Sequence, residues 1–340
     1  MSKKIALIGG GVAGMEAAKQ LKLLGYNATI YEQEPKLGGH VSKWDRLFPN
    51  QNHAQGVITS LVSSLDGVEV HCSALVENIS PIEGKFNIKV NSKLNLFDAV
   101  VVATGFELFP AEKKEEYGYS IFENVITSAE LEGMFIEKGR PLMANGKLPT
   151  RVAFIHCVGS RDEKVNRPYC SKVCCVTAVK QAIEVKEALP NCEVYNFYMD
   201  LRMFGPGYED LYKTAQVKGV NFIRGRLSET SEMEGGRILI KAEDTLSSRP
   251  LKMSVDMVVL MVGMSPLRST RMLLENVSTE INSDGFLQVK DYHTDPTKTN
   301  VDGIFVAGAC TGPNNITDSI NSARSAAMDV HRFLCNNNLP

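Results

Sequence analysis

The stretch Lys4-Ile5-Ala6-Leu7-Ile8-Gly9-Gly10-Gly11-Val12-Ala13-Gly14 decides the fold. Residues 5–8 form a short apolar run, the pattern of a strand buried on both faces. Residues 9–14 then match G-x-G-x-x-G. Residues 15–24 follow with a helical pattern, Ala17, Ala18, Leu21 and Leu24 sharing one face, and Gly25 ends it. Residues 28–31 read as the next strand, with Glu32 at its end. Each residue type has a physical reason. Gly9 permits the tight turn, Gly11 lets backbone approach a pyrophosphate, and Gly14 lets the helix pack closely on the strand. The helix start, at Val12 and Ala13, offers unpaired N–H groups and partial positive charge to phosphates. Glu32 is placed to accept from the adenosine ribose hydroxyls. The competing reading is a glycine-rich turn with no ligand, and the full strand–helix–strand–acid context weighs against it.

The run continues to Leu37-Gly38-Gly39-His40, giving Glu-x5-Gly-Gly. This extension resembles the two-dinucleotide-binding flavoproteins, where it marks FAD. Two more stretches resemble that family. Asp98-Ala-Val-Val-Val-Ala103-Thr104-Gly105 is similar to its apolar strand ending in Ala-Thr-Gly, and Val301-Asp-Gly-Ile-Phe-Val-Ala-Gly308 to its C-terminal flavin strand. After Gly308 the family has an Asp for the ribityl chain; here Ala309 and Cys310 follow. Asp318 and Ser319 read as the N-cap region of a helix over residues 320–334. The resemblance implies that this helix start faces the flavin pyrimidine ring. An ordinary capped helix is the plain alternative.

Composition bounds the rest. The chain has 340 residues, enough for two or three domains. Its 37 basic and 39 acidic residues leave a net charge of −2, which excludes the basic footprint of a nucleic-acid binder. No apolar run approaches the roughly 20 residues that a membrane span needs, and the basic start followed by residues 5–8 is too short for a signal peptide. The expectation is a soluble cytoplasmic protein. Against that background eight cysteines stand out, since in a reduced compartment clustered cysteines point to metal or redox chemistry.

Four of them lie within 19 residues, Cys157, Cys170, Cys174 and Cys175. Residues 151–156 and 192–201 read as strands with a helix over 171–189 between them, a second βαβ unit. Its turn keeps only Gly159, so the close approach of a nicotinamide dinucleotide is not encoded there. Cys170 and Cys174, spaced i, i+4, are expected to share a helix face, with Cys175 adjacent and Cys157 arriving from the strand. At that helix start the dipole would favour a negatively charged [4Fe–4S] cluster. Four thiolates also suit tetrahedral zinc, and buried inert thiols are the third reading. Cys72, Cys192 and Cys335 are expected to be structural, with Cys310 beside the flavin strand.

A narrower likeness now emerges. Ile8-Gly-Gly-Gly-Val-Ala-Gly-Met-Glu-Ala-Ala18, Glu34-Pro-x-x-Gly-Gly-His40, Cys157-Val-Gly-Ser-Arg-Asp-Glu163, Pro168-Tyr-Cys-Ser-Lys-Val-Cys-Cys175 and Gly308-Ala-Cys-Thr-Gly-Pro313 resemble the A-type flavoprotein of heterodisulfide reductases. That resemblance implies FAD and one [4Fe–4S] cluster held by Cys157, Cys170, Cys174 and Cys175. The long methanogen forms carry ferredoxin-like motifs that this sequence lacks, and Phe48-Pro-Asn-Gln-Asn-His53 lacks their further cysteines. The short form is similar to heterodisulfide reductase-like proteins of sulfur oxidisers, and next to the flavoprotein of the quinone-modifying complex.

The expected fold is α/β, a two-dinucleotide-binding flavoprotein of thioredoxin/glutathione reductase type. It has an FAD Rossmann domain in two parts, 1–145 and 255–340, and an inserted Rossmann-like domain, 146–254, carrying the cluster. Residues 225–249 read as a hairpin turning at Gly235-Gly236. FAD contacts are expected at Gly9, Gly11, Val12, Ala13, Gly14, Glu32, Gly38, Gly39, His40, Lys43, Ala103, Thr104, Gly105, Gly308, Ala309, Asp318 and Ser319. Lys43 beside the flavin would favour its reduced form; a solvated lysine is the alternative. The loop Asp200-Leu-Arg-Met-Phe-Gly-Pro-Gly-Tyr208 would cover the cluster, meet a partner or simply pack. No nucleophile–base pair is found. The implied role is electron transfer in sulfur or disulfide metabolism. The implied partners are heterodisulfide reductase B- and C-like subunits and a small electron carrier, with a homodimer within a larger complex. The rivals are an FAD-dependent NAD(P)H:disulfide or quinone oxidoreductase, and a non-enzymatic redox sensor or scaffold.

Overall fold

The computed structural model describes residues 3–336. The expected domain ends at 1–2 and 337–340 lie outside the described residues. The chain divides into two compact units.

The first unit comprises Met1–Ser42, Gln55–Glu107 and Ser265–Pro340. Lys4–Ile8 is buried from Ile5 onward and sits mid-sheet, because an all-apolar run needs cover on both faces. It pairs in parallel with Asn27–Tyr31 on one side and Ala99–Val102 on the other; Glu69–His71 and Ile304–Val306 complete a five-stranded parallel sheet. Val12–Leu23 is the crossover helix, packed against the long helix Ile316–Asn336. Glu16, at 1% exposure, joins these helices by accepting from Arg324 Nε at 2.6 Å. Val76–Ile82, Lys85–Val90 and Lys93–Phe97 form an antiparallel sheet whose inner residues Ile79, Phe86 and Ile88 join the core.

The second unit comprises Lys43–Ala54 and Leu108–Met264. Its parallel sheet runs Val220–Arg224, Glu193–Tyr198, Arg151–Val158, Met257–Val262, Val125–Thr127. The expected insert, 146–254, is therefore narrower than the compact unit. Met257–Val262 pairs with Arg151–Val158, and Val125–Thr127 pairs in turn with Met257–Val262, so both belong to this sheet. The predicted hairpin is present as Leu227–Met233 and Arg237–Asp244, joined by a third strand, Arg249–Val255. Helix Cys174–Ala188 covers the sheet with Val176, Val179 and Ile183.

Two helix limits differ from expectation. The cysteine helix begins at Cys174, not residue 171, because Lys172 at φ +64° turns the chain out of the helical path. Cys170 is therefore in the loop before the helix and shares no helix face with Cys174. The C-terminal helix begins at Ile316, and Asn315 is its cap. Asn315 Oδ1 accepts from Asp318 N at 2.8 Å while Asp318 Oδ2 accepts from Asn315 N at 3.2 Å. Asp318 and Ser319 thus lie in the first turn instead of at the cap, the reciprocal geometry of a capping box.

Candidate functional site

The first unit gathers most of the expected nucleotide contacts around one turn. Gly9 holds φ +107°, and a Cβ there would stand 2.5 Å from Ala103 O. A Cβ on Gly14 would stand 1.9 Å from Gly9 O, so helix and strand meet only with glycine present. A Cβ on Gly11 meets nothing within 4 Å, which leaves open space over the helix start Val12-Ala13. Glu32 is 6% exposed and accepts at both oxygens, from Gly10 N at 2.7 Å and Glu34 N at 2.8 Å. Each oxygen keeps a further acceptor position. Gly38 N donates to Gly10 O at 2.9 Å, which lays the Gly38-Gly39 turn over the fingerprint.

Around this turn lie the remaining elements. His40 Nε2 is 2.9 Å from Phe106 O, and its ring stacks on Phe106 at 4.3 Å. Ala103 N donates to Ile8 O at 2.8 Å, Gly105 turns at φ +74°, and Thr104 Oγ1 accepts from Thr270 Oγ1 at 2.7 Å. Gly308 N donates to Ser322 Oγ at 2.7 Å, and a Cβ on Gly308 would meet Ala13 Cβ at 2.8 Å. Ala309 and Ser319 are buried beside it. Lys43 is exposed and belongs to the second unit. Cys310 is buried and packs Sγ against Val102 O and Ala307 O, both at 3.3 Å; burial pushes its thiol up to about 12. It is a neutral core thiol.

In the second unit Cys157, Cys170, Cys174 and Cys175 are neighbours. The strand bulges between Ile155 and Val158, and Cys157 takes φ +59°. A bulge re-aims a side chain at a strand end. Burial pushes the Cys157 thiol up to about 12, and Cys175 and Cys170 push in the same direction. Cys174 is raised well above its usual value, by burial first and then by the other three thiols. Burial also raises Cys175. Lys172 N donates to Cys170 Sγ at 3.3 Å, and Cys175 Sγ donates to Asp200 O at 3.5 Å. Among the described residues no three His, Cys, Asp or Glu side chains are grouped to hold a single ion as they stand. The donor set still fits a metal centre chemically. Three of the four thiols are buried, each is costly to ionise alone, and a bound cation removes that cost.

Sequence reasoning missed the charges that frame these thiols. Arg161, at φ +54°, donates through Nη2 to Asp200 Oδ2 at 2.8 Å. Asp162 is 2% exposed and takes Lys114 Nζ at 2.8 Å and Arg226 Nη2 at 2.5 Å. Burial alone would raise the Asp162 carboxyl, but these cations outweigh it and hold it below the usual range. His156 is buried with Nε2 2.9 Å from Asn196 Oδ1, and burial pushes it down to about 4, so the ring is neutral. Of the other cysteines, Cys192 is buried as expected, but Cys335 is exposed and not a core residue. It ends the helix Ile316–Asn336 on its solvent side, 3.7 Å from His331 Nε2. Cys72 is half-buried, no cysteine is disulfide-bonded, and among the described residues no helix is long and apolar enough to cross a membrane.

The geometry can be set beside known proteins. The chain is 32% identical to the A-type iron-sulfur subunit of CoB–CoM heterodisulfide reductase from Methanocaldococcus jannaschii, over 97% of this chain and 64% of that protein. It is 31% identical to the A-type subunit of the H2:CoB–CoM heterodisulfide,ferredoxin reductase of Methanothermobacter marburgensis, over 95% of this chain and 63% of that one. The chain thus spans under two thirds of these relatives. Among solved structures, thioredoxin reductase from Lactococcus lactis matches with a TM-score of 0.69 at 17% identity, covering 98% of this chain and all of that one. Thioredoxin reductase from T. acidophilum matches with a TM-score of 0.67 at 17% identity, with the same coverage. These two show the fold. Residues 1–131 and 176–329 match the family described as pyridine nucleotide-disulphide oxidoreductase, and the unmatched 132–175 holds all four clustered cysteines. With the glycine turn, the two parallel sheets and the greater part of the sequence in agreement, the chain belongs to the pyridine nucleotide-disulphide oxidoreductase family.

Proposed function

We propose that this chain is an FAD- and [4Fe–4S]-bearing electron-transfer subunit of a heterodisulfide reductase-like complex in sulfur or disulfide redox metabolism. The observation that carries the reading is that four mutually perturbing thiols gather along the strand end, loop and helix start that correspond to the glycine turn of the first unit. The family fold supports FAD, and the relatives' names include an iron-sulfur subunit. When bound, FAD would exchange two electrons and the cluster would exchange one at a time.

The protein's own part is binding and field. The N–H groups at Val12, Ala13 and Gly14 would hold the pyrophosphate in the space over Gly11. The outer acceptor positions on Glu32 would take ribose hydroxyls. Gly38, Gly39 and His40 on one side, and Ala103, Thr104 and Gly105 on the other, would line the flavin's path. Gly308, Ala309 and the helix start with Asp318 and Ser319 would border the ring. Cys157, Cys170, Cys174 and Cys175 would hold the cluster. Substrate chemistry would belong to B- and C-like partners, with a small carrier as a further partner and a homodimer as the assembly unit.

A second reading, an FAD-dependent NAD(P)H:disulfide or quinone oxidoreductase, is favoured by the family's description. The turn where such a nucleotide would sit speaks against it. A Cβ on Gly159 would stand 2.0 Å from the Phe109 ring, so that glycine serves packing. Anaerobic purification with flavin, iron and sulfide counts tests the proposal. The expected result is about one flavin with about four iron and four sulfide per chain. Zinc, or no metal, would overturn the cluster; steady NADH oxidation by the isolated chain would favour the second reading.

A further inference from the structure

We propose that Arg161 is a positioning residue for the four-cysteine site: its guanidinium lies against the cysteines as their counter-charge and sets how readily the group they hold accepts an electron. The inference rests on the cluster reading above but concerns a residue that the reading does not use.

Arg161 is held in place from two sides. Its backbone N donates to Tyr169 O at 2.8 Å, fixing it across the loop from Cys170. Its Nη2 donates to Asp200 Oδ2 at 2.8 Å. Of the other guanidinium nitrogens, Nη1 is buried and has no well-aligned hydrogen-bond partner, while the side chain stands within hydrogen-bonding reach of Cys157. A buried unpaired donor costs on the order of 1–3 kcal/mol, so a native protein keeps one where an acceptor belongs. The neighbours that feel this cation are Cys157, Cys170 and Cys175, and it opposes the effect of burial on Cys157 and Cys175. The guanidinium is thus a fixed positive charge among sulfurs, with the N–H groups of Nη1 still to direct toward an acceptor there.

Such a charge acts on reduction with a definite sign. When one electron enters from a donor, no bond forms or breaks and the site becomes more negative by one unit. A nearby cation stabilises that form more than the oxidised one, which raises the potential; net charge and hydrogen bonds to sulfur are the levers on such centres. Asp200 is the counterweight. Its carboxylate accepts from both Arg161 and Arg224, and it tempers the positive field at the same place.

The experiment is a mediator-controlled redox titration, followed by electron paramagnetic resonance, on anaerobically purified full chains with iron and sulfide counted in each. Arg161→Gln should keep its iron and be reduced at least tenfold less favourably, which is about 59 mV more negative for one electron. Arg161→Lys should recover most of the difference. Because Arg161→Gln could fail to fold or to hold iron, Asp200→Asn is run beside it; Asp200 is half-buried, with its side chain 45% exposed, and its loss should move the potential upward. Iron-replete Arg161→Gln with an unmoved potential, or Asp200→Asn with an unmoved or lowered one, would overturn the proposal alone. Wild-type chain without iron would overturn the cluster reading and this proposal with it.

Discussion

At the residue scale two glycines of the fingerprint, Gly11 and Gly14, separate structure from binding. Gly14 has Gly9 O at 1.9 Å from where a Cβ would be, whereas Gly11 has open space. Gly14→Ala should therefore destabilise the flavin-free protein, and Gly11→Ala should leave its unfolding midpoint unchanged while cutting bound flavin. Denaturant unfolding of the stripped protein and absorbance of the purified protein read the two effects. A Gly11→Ala variant that keeps its full flavin content would show that no pyrophosphate lies there. Asp162 carries a different kind of prediction. It is buried against Lys114, which is itself 3% exposed. Asp162→Asn strands that ammonium and should cost about 3 kcal/mol, the low end for a broken buried pair because Glu116 still meets Lys114 at 2.5 Å. With its folded pKa depressed, the Asp162 contribution is present above the unfolded value near pH 4 and fades as pH falls through the folded one.

At the element scale the cysteine helix Cys174–Ala188 buries three charged or amide side chains in one stripe, Lys180, Gln181 and Glu184. Lys180 Nζ pairs with Glu132 Oε1 and stands 3.1 Å from Glu184 Oε2, and Gln181 Nε2 donates to the same Glu132 oxygen at 2.6 Å. Glu184 has Lys180, already shared with Glu132, as its close polar partner, and burial, aided by Glu132 and opposed by Lys180, pushes its carboxyl up to about 8. A group with a raised folded pKa stabilises the fold while protonated. Stability should therefore decline as pH climbs from about 4.5 through 8. Glu184→Gln should flatten that slope between about pH 5 and 8 in thermal unfolding, and an unaltered slope would remove Glu184 as its source. This stripe also shows what the sequence could convey. The periodicity of Val176, Val179 and Ile183 marked the helix and its buried face. It could not mark Lys180 and Glu184 as buried, because Glu132, the partner of Lys180, lies 48 residues before it on another helix. The displaced start at Cys174 was hidden for a similar reason. The turn depends on a left-handed conformation at Lys172, a residue type that does not advertise one.

At the scale of the whole molecule the two units repeat one plan, a five-stranded parallel sheet with a three-stranded antiparallel sheet. The sequence showed the repetition only faintly, since strand burial preserves apolarity and not identity. What differs is the turn after the central strand. In the first unit it is a short glycine turn running straight into Val12–Leu23; in the second, Cys157 ends the strand and a longer excursion before Cys174 carries Arg161 and Cys170. The residues proposed for the nucleotide, at 9–14, 32, 38–40, 103–105 and 308–309, all lie in one unit, and the four cysteines lie in the other. The two proposed cofactors should then be separable by mutation. Cys174→Ser should lose iron and retain flavin at the wild-type level, and Gly11→Ala should lose flavin and retain iron. Both are read from flavin absorbance and metal counts on anaerobically purified chains. Joint loss in either variant, with the protein still folded by circular dichroism, would mean that the two sites are built as one. The division of labour between a phosphate-binding turn and its cysteine-bearing counterpart would then be wrong.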